Sequence, residues 1–205
     1  MSLGTLFIIS APSGAGKTSL IKAVLKKKAL SEIFLSISYT TRLIRPGEFN
    51  GKDYYFVSKE KFVEMKNKGK FLEYEKVFNN YYGTPSNISK ILFNGIDVLL
   101  DINWRGAKKI YTLFTKIKSI VILPPSKKEL YKRLILRNTD THHAIKNRMK
   151  HSIDAMMHYK SYDFLIINDN FNTAVKSLYS IIFTESLYLR RQKKKFVHLL
   201  NIFNL

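Results

Sequence analysis

Residues 6–20 read Leu6-Phe7-Ile8-Ile9-Ser10-Ala11-Pro12-Ser13-Gly14-Ala15-Gly16-Lys17-Thr18-Ser19-Leu20. The apolar run 6–9 reads as a short buried strand. A turn of small residues follows. Leu20, Ile21, Val24 and Leu25 then recur on one face of a helix. A strand, a small-residue turn ending Gly-Lys-Thr and a helix together form a phosphate-binding loop. Gly14 and Gly16 let the backbone curl so that successive N–H groups converge on phosphate oxygens, and the helix N-terminus adds partial positive charge. Lys17 can reach the outer phosphates, and the Thr18 hydroxyl can serve Mg²⁺. The strict pattern has Gly at its first position, where this chain has Ala11. Alone, the loop implies the phosphates of a nucleoside triphosphate and leaves the second substrate open.

Outward from the loop, strands and helices alternate. Residues 33–38 predict a strand, and 54–57 another. Ser58 predicts a helix N-cap ahead of Lys61, Phe62 and Met65. Residues 71–78 and 81–85 predict a hairpin. Two turn-rich stretches, marked by Pro46-Gly47 and Asn50-Gly51, suggest a small β-rich insertion over about 36–85. Helices are expected over 86–93, 106–114, from the Ser126 cap through Ile135, over 144–158, and from about Thr173. Buried strands are expected over 97–101, 119–123 and 164–167. This alternation predicts an α/β fold, a doubly wound parallel sheet with ligands at the carboxyl ends of its strands.

The chain has 205 residues, enough for one domain with a small insertion. It lacks cysteine, which excludes disulfides and thiolate metal sites and suits a reducing cytoplasm. No apolar run is long enough for a signal core or a membrane span, so no membrane partner is expected. The net charge of +20 comes mostly from lysine. It suits polyphosphate substrates; it would also suit nucleic acid, but no aromatic-basic RNA motif accompanies it, so a nucleic-acid partner is not expected. The tail over 190–205 is basic through Lys195 and then amphipathic. Its apolar tip is expected to pack on the domain or on a sister chain, which keeps a homo-oligomer open.

The insertion gathers Arg42, Arg45 and Tyr54, then Glu73, Tyr82 and Thr84. Two guanidinium forks and a phenol suit a phosphate monoester. A carboxylate such as Glu73 suits a base with adjacent N–H donors, which guanine offers and adenine does not.

Thr40-Thr41-Arg42, Arg45, Glu48, Gly51, Tyr54 and Phe56 resemble the guanylate kinase signature. The resemblance continues through Phe71-Leu72-Glu73-Tyr74, Tyr81-Tyr82-Gly83-Thr84, Leu100-Asp101-Ile102, Pro124-Pro125-Ser126, Arg137, Arg148-Met149, Tyr162-Asp163 and Asn168-Asp169, nearly the whole chain to about Arg191. It implies a P-loop NTPase-type core (1–35 and 86–190), a GMP-binding insertion (36–85) and a helical lid (126–158). It implies that Ala11, Pro12, Ser13, Gly14, Ala15, Gly16, Lys17, Thr18 and Ser19 hold ATP, with Arg133 and Arg137 on its phosphates and Asn168 near the adenine. Ser38, Arg42, Arg45, Tyr54 and Tyr82 would grip the GMP phosphate. Glu73 and Thr84 would read guanine, with Asn103 beside them. Thr18 and, through water, Asp101 would serve Mg²⁺. Lys17, Arg42, Asp101, Arg137 and Arg148 would carry catalysis, moving the γ-phosphoryl of ATP to GMP in the cytoplasm.

The chain departs from the family pattern at several positions. Asn103 stands for an Asp and Arg105 for a Gln; Glu75 replaces a small residue. Asn79 and Asn138 replace Gly, and Ala155 replaces Glu. Two other readings are a non-catalytic guanylate kinase-like binding module and a kinase for another nucleotide. The intact Lys17-Thr18 pair opposes the first, and Glu73 the second.

Overall fold

A computed structural model gives the fold over residues 4–30, 32–77, 79–136 and 142–203. The chain opens with β1 (Leu6–Ser10) and α1 (Lys17–Leu25). Next come β2 (Phe34–Ser36), β3 (Tyr39–Thr40), β4 (Tyr55–Phe56), α2 (Lys59–Asn67), β5 (Phe71–Val77) and β6 (Asn80–Pro85). The core resumes with α3 (Ile88–Phe93), β7 (Val98–Asp101), α4 (Trp104–Tyr111), β8 (Ile117–Leu123), α5 (Lys127–Leu136), α6 (His142–Met157) and β9 (Phe164–Ile167). It closes with α7 (Phe171–Ser186) and the short α8 (Leu189–Lys195) and α9 (Val197–Ile202).

Five strands form the central sheet in the order β2-β7-β1-β8-β9, each pair parallel. Parallel neighbours need crossovers, and helices supply them. β1 is buried along its whole length because both faces of the sheet are covered. Phe7 and Ile9 face one side, where they pack with Leu20 and Val24 of α1 and Leu178 and Ile182 of α7. Leu6 and Ile8 face the other, with Ile88 and Leu92 of α3 and Ala107 and Ile110 of α4. A smaller cluster, Leu130, Leu134 and Ile145, joins α5 to α6.

A second sheet, β4-β3-β6-β5, forms the insertion. Phe62 of α2 fills it from behind, stacked on Phe71 at 4.4 Å and Tyr81 at 5.3 Å between centroids. The strand expected over 33–38 is present but ends at Ser36, and a second strand, β3, follows it at 39–40. β2 pairs with β7 in the central sheet, whereas β3 pairs with β4 and β6 in the second. Thr40 fixes the new course, its hydroxyl donating to the Tyr81 carbonyl at 3.0 Å. In the β5–β6 hairpin Asn79 has φ 65°. Asn tolerates this left-handed conformation, so it can replace the family's glycine there.

Two of the helices that begin earlier than the periodicity predicts do so because of an asparagine cap. Asn103 Oδ1 accepts from the Arg105 and Gly106 N–H groups and starts α4 at Trp104. Asn170 Oδ1 accepts from the Thr173 N–H and starts α7 at Phe171. Arg191 of α8 clamps Asp97 at 2.6 and 2.7 Å and also donates to the Thr5 hydroxyl, tying the tail's base to the sheet. Beyond that clamp Ile202 and Phe203 are exposed, so the apolar tip does not pack on the domain. Among the described residues no helix is long and apolar enough to cross a membrane.

Candidate active site

The phosphate-type loop leaves β1 and enters α1 at the carboxyl end of the sheet. Gly14 and Gly16 have φ 93° and 91°, the left-handed region that favours glycine. Gly16 has a further constraint, since a Cβ there would lie 2.4 Å from Asn168 Nδ2. That amide donates to the Ala15 carbonyl at 2.7 Å and is itself buried. Ser152 of α6 donates to the Ser13 carbonyl at 3.3 Å. Core and helical segment therefore hold the loop from two sides. Ala11 and Pro12 lead into the loop, and Thr18 and Ser19 are exposed at the start of α1. Lys17 Nζ pairs with Asp101 and lies 3.4 Å from the Ile102 carbonyl. Asp101 ends β7 and sits in register with Ile9. One exposed hydroxyl, Thr18, and one partly exposed carboxylate, Asp101, suit a hard cation that keeps waters and takes its other ligands from phosphate. No cluster of three or more His, Cys, Asp or Glu among the described residues could cage a metal unaided.

Arg42 is set by the insertion. Both Glu48 carboxylate oxygens accept from Arg42 Nη2, at 2.8 and 2.9 Å, and the Arg42 guanidinium lies 5.5 Å from the Tyr54 ring centre and 5.6 Å from that of Phe56. Glu48 also accepts from the Arg45 N–H at 2.9 Å. Arg42 and Arg45 together hold its carboxyl below the usual range, against the cost of burial. Sequence reasoning placed Glu48 in the signature but gave it no role; the Pro-Gly turn between it and Arg42 was its signal. Tyr82 meets Tyr54 edge-on at 6.0 Å, and Ser38 is half-buried, its carbonyl accepting from the N–H of Tyr55, the neighbour of Tyr54. Burial, and after it the charge of Asp101, push the Tyr54 phenol far above its ordinary value. Tyr54 therefore stays a hydrogen-bond donor.

Glu73 is 7% exposed. It faces Thr84 across β5 and β6, and the Thr84 hydroxyl donates to it at 2.6 Å. The N-terminal turn of α4 closes the other side, where a Cβ on Gly106 would lie 3.2 Å from Glu73 Oε2. Burial raises the Glu73 carboxyl above the usual range; the Thr84 hydroxyl and Lys109 oppose the rise, and Glu75 adds to it. Asn103 spends its oxygen on the α4 cap, a task Asn performs as well as Asp. Arg133 donates to Glu129 at 2.9 Å and to the Asn168 carbonyl at 3.1 Å, so both residues expected on ATP brace one another. Arg148 is half-buried on α6. Arg137 and Asn138 lie outside the described residues.

The phosphate loop thus opens at the carboxyl end of the central sheet, and α4, which starts from that end after β7, closes on the buried Glu73 of the insertion. The guanylate kinase family model matches residues 4–185. The chain belongs to the guanylate kinase family. It is 57% identical to the guanylate kinase of Buchnera aphidicola subsp. Acyrthosiphon pisum, over all of this chain and 99% of that one. It is 48% identical to that of Photorhabdus laumondii, over 95% of each. The crystal structure of guanylate kinase from Anaplasma phagocytophilum superposes with a TM-score of 0.72 at 31% identity, over 93% of this chain and 90% of that one. Family membership makes the P-loop α/β assignment and the enzyme class firm.

Proposed function

We propose that the chain transfers the γ-phosphoryl group of ATP to the phosphate of GMP, giving ADP and GDP. One observation carries the reading: Lys17 of the phosphate loop pairs with Asp101 at the end of β7, and α4, which leaves that same strand end, closes with Gly106 on the buried Glu73 of the insertion. The phosphate loop and the base-reading carboxylate thereby come to the same end of the sheet.

The loop N–H groups and Lys17 hold the ATP phosphates, which compete with Asp101 for the ammonium. Ser38, Arg42, Arg45, Tyr54 and Tyr82 hold the GMP phosphate, with Glu48 keeping Arg42 aimed. Glu73 accepts from the adjacent N–H donors of guanine, and the neighbouring Thr84 completes the edge. The acceptor phosphate is already an anion, so no strong base is needed. Catalysis consists of aligning two polyanions, offsetting their repulsion and excluding water. Arg133, Arg137 and Arg148 offset charge on the transferred group. Bound with ATP, Mg²⁺ would be held by Thr18 and, through water, Asp101, and would neutralise phosphate charge. The reading places the chain with its nucleotides in the cytoplasm.

An ADP-release assay with ATP, Mg²⁺ and each of GMP, AMP, UMP and CMP tests this. Turnover selective for GMP is expected. Preference for another acceptor contradicts the role of Glu73 and Thr84, and GMP binding without turnover favours a binding module.

A further inference from the structure

α4 places Arg105 and Lys109 one turn apart, so they share a helix face. β5 places Glu73 and Glu75 two residues apart, so they share a strand face. The two faces meet. Arg105 Nη1 lies 3.3 Å from Glu75 Oε1, and Lys109 Nζ donates to the Tyr74 carbonyl. Arg105 also lies over the Trp104 ring at 4.9 Å, which limits its freedom. The Glu75 side chain is only 11% exposed, and its Oε2 is buried without a hydrogen-bond partner. The Arg105 guanidinium is the only cation in an ion pair with this carboxylate among the described residues.

Glu73 lies between these groups. Lys109 acts on it from α4, Glu75 from its own strand and Thr84 from its paired position on β6; Arg105 reaches it through Glu75, which pairs across the hairpin with Tyr82. A guanine base needs Glu73 ionised, because a protonated carboxyl loses an acceptor. A second uncompensated carboxylate alongside would favour protonation.

We propose that Arg105 is a positioning residue for guanine recognition: by neutralising Glu75, it keeps the neighbouring Glu73 ionised for GMP. The inference rests on the GMP reading above. Arg105 need not touch the nucleotide. It makes room for a buried acid at position 75 that would otherwise disturb the acid at 73.

The test is equilibrium GMP binding by calorimetry for the full chain, R105Q, and R105Q/E75Q, at about pH 5.5 and about pH 8. The titration of GMP itself is common to all three proteins and cancels in their ratios. R105Q is expected to bind about threefold or more weakly than the parent at the lower pH and within about twofold at the higher. R105Q/E75Q is expected to recover the parent's pH profile. An equal loss at both pH values, or no recovery in the double variant, overturns the proposal. GMP binding without turnover in the parent overturns the catalytic reading alone. Absence of GMP binding in the parent overturns both.

Discussion

Burial holds the Glu73 carboxyl above the usual range, so its ionised form is disfavoured in the folded chain relative to the unfolded one. A carboxyl raised on folding contributes stability that is full below its unfolded value and lost as pH rises through its folded value. At neutral pH the ionised Glu73 therefore costs stability. Glu73→Gln keeps an acceptor for the Thr84 hydroxyl and removes the buried charge. It should melt higher than the parent at neutral pH by calorimetry, with the gain vanishing under acid conditions. The same change should lower kcat/KM for GMP by about two orders of magnitude, because a site built for N–H donors would meet an amide donor. Lys17→Ala should lower turnover by about three orders of magnitude in steady-state assays, since it removes charge from the transferred phosphate. Both residues were legible in the sequence: Lys17 through its loop, Glu73 through the chemistry of guanine and the family resemblance. The partnership of Arg105 with Glu75 was not. The two lie far apart in the chain, and neither reads as more than a surface charge until α4 and β5 meet.

At the scale of elements, α4 is a post as well as a crossover helix. Its cap at Asn103 starts the helix, and its close turn at Gly106 and its basic face both bear on β5. Asn103→Ala should lower the unfolding free energy by about 1 kcal/mol in urea titrations through loss of the cap. Asn103→Asp should match the parent or exceed it slightly, because an acid at a helix N-terminus is favourable. A parent-like Asn103→Ala would mean that the cap contributes little. The start of α4 escaped the sequence reading because apolar periodicity begins only inside the helix, whereas the cap precedes it. The strand over 33–38 was read correctly except for its end at Ser36, which escaped for a different reason. Its alternation is that of a strand throughout, and the change of sheet after Ser36 depends on pairing partners from β6 and β7 that periodicity does not name.

For the whole molecule, the continuous apolar run of β1 and the regular alternation of strands and helices were enough to read a doubly covered parallel sheet. The tail was less legible, since a basic run followed by apolar residues fits several packings. Its structural content is concentrated in Arg191, which satisfies Asp97 and Thr5 at the start of the sheet. Arg191→Ala should cost about 2 kcal/mol in chemical denaturation, as the largely buried Asp97 loses its partner. Truncation after Gln192 should cost far less, because most of the apolar side chains beyond it are exposed.

The central claim is that the core and insertion sites form one cleft in which a phosphoryl group passes directly between nucleotides. The most direct measurement follows label from γ-phosphate-labelled ATP mixed with GMP, Mg²⁺ and the full chain, with products separated by chromatography. The account predicts label in GDP, in step with the ADP formed. Label released as inorganic phosphate while GMP stays unchanged would contradict it.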